Sequence, residues 1–191
     1  MNKLHIGCGK MIMQGFINLD RVAHPGVDVV FDLEDCALGA PLHFPDNHFD
    51  RMLMSHTIEH IVHVLPMMQE LHRVAKPDCS LVIVAPYGSS DTADEDPTHV
   101  RRIFKNSFIF FSQLPYDNAD YGYRGDWDCR LLEFHLDKTI LDPDGSDDEH
   151  AKAILALRNV CPEILAELRA VKPIRQPGPI LTQPKMYFKF R

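Results

Sequence analysis

An α/β fold built around a largely parallel sheet is what this sequence predicts, and two observations carry the prediction. Through the first half of the chain, short β-branched or apolar runs alternate with turn signals, and a segment of helical period separates the fourth run from the fifth. With 191 residues, 45% of them hydrophobic and 25% charged, the chain can bury a sizeable core, and its length favours one domain over residues 1–191.

The strand candidates are Lys3 to Ile6, Phe16 to Leu19, Asp28 to Phe31, Arg51 to Ser55 and Leu81 to Val84. Between the last two, Met68, Leu71 and Val74-Ala75 recur at helical spacing over Leu65 to Lys76, and Pro66 sits where a first-turn proline is tolerated. Lys76-Pro77-Asp78 is a sequence that stops a helix and turns the chain back toward Ser80. After Pro86 the segments Gly88 to Asp91 and Asp94 to Pro97 read as loops, followed by the aromatic stretch Phe104 to Phe111. Arg130 to Leu136 reads as a strand, Glu149 to Val171 as a helix interrupted at Pro162, and Met186 to Arg191 as a final alternating strand. The proline-rich run Pro173 to Pro184 connects into that strand. Asp142 to Glu149 has an acidic rhythm, but its glycine is fourth rather than sixth and the closing Glu is misplaced for a calcium loop, so it reads as an acidic surface turn.

Composition narrows the partners. A net charge of −7, with no Lys and Arg run interleaved with aromatics, lacks the electrostatic term that drives nucleic-acid binding, so no nucleic acid is expected. Arg101-Arg102 with Lys105 reads as an ordinary solvated face. The amino terminus carries no long apolar stretch, so no membrane association and a cytoplasmic location are expected. Five singly scattered cysteines suggest reduced thiols rather than a disulfide framework or a cysteine zinc site.

The chemistry starts at Leu4-His5-Ile6-Gly7-Cys8-Gly9, an apolar strand breaking into two glycines that let the backbone turn sharply and approach a nucleotide-like cofactor. Ile12 stands where a dinucleotide fingerprint needs its third glycine, and no phosphate-cradling G-x-x-x-x-G-K-[ST] is present. Asp20, beside Arg21 at the end of Gly15-Phe16-Ile17-Asn18-Leu19-Asp20, is placed to accept hydrogen bonds from both hydroxyls of a ribose; the alternative is an Asp capping a surface loop.

Taken in order, these segments resemble the class I S-adenosylmethionine-dependent methyltransferases, specifically the small subset similar to the type 11 group. The glycine loop is similar to the family's cofactor loop, Gly15 to Asp20 to its ribose-binding second strand, and Asp28-Val29-Val30-Phe31-Asp32-Leu33-Glu34 to its third strand, which by analogy puts Asp32 and Leu33 at the adenine. Phe44-Pro45-Asp46-Asn47-His48-Phe49-Asp50 resembles the entry to strand four, and Ser55-His56-Thr57-Ile58-Glu59-His60-Ile61 the segment leaving it. Leu71 to Pro77 resembles the helix end before strand five, with Asp78-Cys79 in place of the usual Gly-Gly, and Asp96-Pro97-Thr98-His99-Val100-Arg101 a loop over the active site. The resemblance spans residues 3 to 110. It implies a Rossmann-like, doubly wound, seven-stranded sheet of order 3-2-1-4-5-7-6 with the last strand antiparallel, and S-adenosyl-L-methionine over the carboxyl ends of strands one to four. It further implies a cofactor-binding half at 1–110 and an acceptor-side half at 111–191.

Under this reading Gly7, Cys8, Gly9, Asp20, Arg21, Asp32, Leu33, Ser55 and His56 bound the cofactor, Glu59 and His60 face the acceptor, and His60 or His99 serves as general base. No metal is expected, and the acceptor is a small molecule or glycan whose nucleophile stays open: a hydroxyl needs a base, an amine or thiolate less so. Tyr116, Tyr121, Tyr123 and Trp127 either wall the acceptor pocket or fold over the sheet, while His63 and His72 read as surface residues. Two rivals remain. His56-Thr57-Ile58-Glu59-His60 fits H-x-x-E-H, the pattern of a zinc hydrolase with two histidines on one helix face, and the glycine loop alone would suit a non-catalytic binding module.

Overall fold

The computed structural model describes residues 1–117, 119–179 and 183–191. Five strands, β1 (Lys3–Ile6), β2 (Ile17–Asp20), β3 (Val29–Val30), β4 (Phe49–Ser55) and β5 (Ala75–Pro86), pair in parallel in the order 3-2-1-4-5. Strand β1 lies at the centre, with Leu4 opposite Ile17 on one side and Met52 on the other. Parallel strands covered on both faces need apolar side chains on both, and Leu4, Ile6, Leu19, Met52, Met54, Leu81 and Ile83 are all buried. Two buried polar residues of this layer, His5 and Asn18, face each other, Nδ1 to Oδ1 at 3.3 Å.

Helix α1 (Val64–Val74) is the crossover from β4 to β5, and it buries Met67, Met68, Leu71, His72 and Val74. The expectation of a surface His72 is wrong. Its Nε2 pairs with the Val171 carbonyl at 3.1 Å and its ring packs edge-on to Trp127, and burial holds the imidazole below its usual pKa. The stop after the helix also differs: β5 begins at Ala75 and carries Lys76-Pro77-Asp78 as an irregularity, with Asp78 at φ +61° and the register against β4 shifting between Phe49 and Arg51.

The second half completes the sheet with β6 (Trp127–Leu136), β7 (Glu163–Ala170) and β8 (Lys185–Phe190), giving 3-2-1-4-5-7-6-8. The order expected from the resemblance is present, with β7 antiparallel to both β5 and β6, and an eighth strand lies beyond it, parallel to β6. The expected seventh strand, Met186 to Arg191, is thus the eighth. The expected helix over Glu149 to Val171 is also corrected. Helix α2 ends at Ala156, Asn159 takes φ +63°, and after Pro162 the chain is β7. Ile164, Ala166, Leu168 and Ala170 are buried while their neighbours are half-exposed, a period of two. The Ala and Leu content favours helix locally, but ladders on both edges override that preference.

Helix α2 (Asp147–Ala156) starts where the acidic turn ends: Ser146 Oγ accepts the Glu149 N–H and the Glu149 carboxylate accepts the Ser146 N–H at 2.8 Å. Among the described residues no helix is long and apolar enough to cross a membrane.

Candidate active site

The carboxyl ends of the parallel strands converge on one cavity. Strand β1 leaves the sheet through Gly7 and Gly9, at φ +64° and +52°, a backbone region glycine enters without strain. A Cβ at Gly7 would stand 2.2 Å from Thr57 Oγ1, whereas one at Gly9 would meet open space. The loop is tied to β2 by the Asp20 carboxylate, whose Oδ2 accepts the Gly9 N–H at 2.7 Å and whose Oδ1 accepts the Val22 N–H at 2.9 Å. Asp32 caps the short 3-10 helix Leu33–Leu38 by accepting the Glu34 N–H.

Gly7→Ala is therefore expected to destabilise: a left-handed backbone costs a residue with Cβ about 1–2 kcal/mol, or roughly 2–8 °C in a domain of this size, before the clash with Thr57 is counted. A thermal melt equal to wild type would show that the loop relaxes freely.

The cavity encloses about 470 Å³. Gly7, Gly9, Asp20 and Arg21 line one part, Phe31, Asp32 and Leu33 another, and His56, Thr57, His60, Ile61 and Thr98 close the side toward β4. Two expected contacts are absent from that lining: Cys8 is buried behind the loop, and Ser55 ends β4 with its carbonyl accepting the Thr57 hydroxyl. Thr57, Thr98, Phe31 and Ile61 are additions. The short strand-end sequence signals only a turn there, and the loop at Thr98 comes back only through tertiary contacts.

Glu34 holds the loop after β4 by accepting the N–H groups of Val62 and His63, with the His63 ring on the same carboxylate; burial pushes the carboxyl up, but these donors outweigh it and hold it below its usual pKa. Arg101 braces the same loop through the carbonyls of Ile61 and Val62, and Arg102 pairs with Asp94, so both arginines of the short basic patch make internal contacts.

A second cavity, of about 390 Å³, adjoins the first at His56. Its polar walls are His56, Glu95, Asp96, His99, Glu163 and Arg191. Glu163 is the hub: one oxygen meets His56 Nε2 at 2.9 Å, the other meets His135 Nδ1 at 2.5 Å and Arg191 at 2.8 Å. Burial raises this carboxyl, and the hydrogen bonds from His135 and His56 outweigh it, so it sits below its usual range. His56, in turn, is raised by the Glu59 and Glu163 carboxylates against the pull of burial.

The zinc-hydrolase geometry does not form. His56 follows the end of β4 at φ +48° and Ile58–His60 is a single 3-10 turn, so His56 and His60 do not share a helix face. What clusters among the described residues is Glu59, His60 and His99, each offering a ligand atom within 4.8 Å of the others. Tyr116 and Tyr123 are buried and pack against each other at a tilt, and the Trp127 indole donates to the Met68 carbonyl; none of the aromatic set lines either cavity.

Residues 4–83 match a family model described as a methyltransferase domain. No curated protein matches the chain by sequence. Several solved structures share the fold at low identity. An S-adenosylmethionine-dependent methyltransferase from Archaeoglobus fulgidus superposes with a TM-score of 0.56 at 16% identity, over 88% of this chain and 85% of that one. The YcgJ protein from Bacillus subtilis gives 0.52 at 16%, over 90% and 92%. A Thermotoga maritima structure, described as an S-adenosylmethionine-dependent methyltransferase and possible histamine N-methyltransferase, gives 0.52 at 13%, over 90% and 82%.

Proposed function

We propose that this chain, a class I S-adenosylmethionine-dependent methyltransferase, passes its methyl group in line to a small-molecule or glycan-type acceptor seated in the cavity walled by His56, His99 and Glu163. The observation that carries the acceptor assignment is the common wall: His56 lines both cavities, so a cofactor held over β1 and β2 faces a polar chamber across a single side chain.

The first cavity fits S-adenosylmethionine. Its volume suits a nucleoside-sized ligand, open space faces Gly9, and each Asp20 oxygen has one N–H contact and a lone pair to spare for a ribose hydroxyl. Arg21 stands beside the ribose position, while Phe31, Asp32 and Leu33 offer an apolar and hydrogen-bonding edge to adenine. Cys8 supports the loop from behind, and Ser55 positions Thr57 rather than touching the ligand.

When bound, the cofactor supplies a methyl group already activated on a sulfonium. The protein's share is then to orient the acceptor and exclude water. His99 lines the acceptor chamber, His60 lines the cofactor cavity beside it, and the buried Glu59 stands against both, so the three sit where an acceptor nucleophile would meet the methyl group. Residues 1–110 build the cofactor cavity, and residues 111–191 complete the acceptor chamber through Pro162, Glu163 and Arg191. The polar chamber and the net charge of −7 favour a small polar acceptor over nucleic acid, and five free cysteines suit a cytoplasmic enzyme.

Labelled methyl transfer into a metabolite extract tests the activity and reveals the acceptor. His60→Ala is expected to keep S-adenosylhomocysteine affinity while turnover falls about 100-fold or more. Cofactor binding with no labelled product from any extract would point to the non-catalytic binding module.

A further inference from the structure

We infer that Glu59, His60 and His99 hold one divalent transition-metal ion at the junction of the two cavities, where it would present an oxygen acceptor to the methyl group. Glu59 is only 1% exposed, and neither of its carboxylate oxygens has a hydrogen-bond partner among the described residues. A buried carboxylate left in that state is strongly disfavoured unless something cationic completes it. His56 Nδ1 stands 3.5 Å from Oε1, an ion pair when that ring is protonated but without the alignment of a hydrogen bond, and its other nitrogen is committed to Glu163, so Oε2 is left with no partner.

The two remaining histidines are set to ligate. Thr98 Oγ1 donates its proton to Asp96 Oδ1 at 2.6 Å, so its contact with His60 Nδ1 at 3.0 Å requires the ring to donate. His99 Nδ1 faces the Ala93 carbonyl at 3.1 Å, which can only accept. Both rings therefore carry a proton on Nδ1, and Nε2 of each has no hydrogen-bond partner among the described residues, the Asp96 carboxylate standing 3.9 Å from that of His99. This is how metal-binding imidazoles are oriented, with the second nitrogen donating to a carbonyl or an oxygen behind it. The rings lie 4.8 Å apart between centroids at an interplanar angle of 68°, and one ligand atom from each of the three residues falls within 4.8 Å of the others. Two imidazoles and one carboxylate, with open positions remaining, suit zinc, manganese or iron(II) rather than magnesium or calcium, which prefer oxygen sets.

The ion's role rests on the methyltransferase reading, whereas its binding does not. His60 lines the cofactor cavity and His99 the acceptor chamber, so a ligand in an open position lies between them. An acceptor hydroxyl bound there acidifies and releases its proton to solvent water. Its oxygen lone pair then forms the bond to the methyl carbon as the carbon–sulfur bond breaks, and that bond's electron pair stays on sulfur as a neutral thioether.

The test is equilibrium dialysis of the chelator-stripped full chain against Zn²⁺ or Mn²⁺ alone, with thermal melts and S-adenosylhomocysteine titration alongside. One equivalent should bind to wild type and to His24→Ala, a histidine far from the cluster. Glu59→Gln and His99→Ala should bind more than about 10-fold more weakly with S-adenosylhomocysteine affinity retained, and Thr98→Val should bind the ion about 10–100-fold more weakly. No ion bound by wild type, or an ion bound equally well by these variants, overturns the site. Loss of S-adenosylhomocysteine binding in wild type with metal binding intact would instead sink the methyltransferase reading.

Discussion

Replacing Asp20 by alanine is expected to lower S-adenosylhomocysteine affinity by about 100-fold or more while the chain stays folded. Hydrogen bonds to an ionised carboxylate are each worth about 1.5–3 kcal/mol, and the variant loses two that would reach the ribose hydroxyls. It also loses the anchor of the Gly9 N–H, so the glycine loop is no longer held in its bound shape. Asp20→Asn, which keeps size and loses charge, should fall between the two. Calorimetric titration reads the affinity and circular dichroism the fold. Wild-type affinity in Asp20→Ala, with native spectra, would show that the ribose is held elsewhere.

The largest stability effect is expected far from the site, at Asp126. Its carboxylate is 0% exposed and accepts from the Gln113 N–H, the Arg175 N–H and the Arg175 guanidinium, the last at 2.8 and 2.7 Å. These donors pin the loop before β6 and the segment after β7 onto one anion. Removing one partner of a buried pair typically costs about 3–5 kcal/mol, which in a domain of this size is roughly 6–20 °C. Asp126→Ala should lose that much in a thermal melt, and a loss within 2 °C would mean that Arg175 finds another anion, Asp128 being the nearest.

The pH dependence follows from the sign of the shift. Burial raises the Asp126 carboxyl, yet Arg175 and the two backbone N–H groups outweigh it, so the folded value lies below the usual one. A group depressed in the folded state contributes fully above its unfolded pKa and loses that contribution as pH falls through the folded value. The gap in melting temperature between wild type and Asp126→Asn should therefore be constant above about pH 5 and narrow below about pH 4. A gap that widens on acidification would contradict the pairing with Arg175.

Among the positions that sequence reading reached, the amino-terminal ones share a physical character. Gly7, Gly9 and Asp20 sit on consecutive strands joined by short connections, so local turn chemistry and strand periodicity are enough to bring them near one another. The second cavity and its neighbourhood are different. His56 meets Glu163 across 107 residues and His60 meets Thr98 across 38, and neither spacing has a signature in one dimension. The misread β7 shows the same limit: its Glu-Ile-Leu-Ala-Glu-Leu-Arg-Ala run carries helix-forming residues, and only the two ladders flanking it make it a strand.

By itself, the sequence determined the parallel half of the sheet, the glycine turn and the acidic residue closing β2, because each follows from interactions between near neighbours along the chain. Tertiary structure alone decided that Glu163–Ala170 is a strand, the place of the last strand beyond β6, the burial of His72 and Glu59, and the meeting of Glu59, His60 and His99. Those outcomes depend on which distant segments exclude water from a given side chain, and that is set by packing the whole molecule.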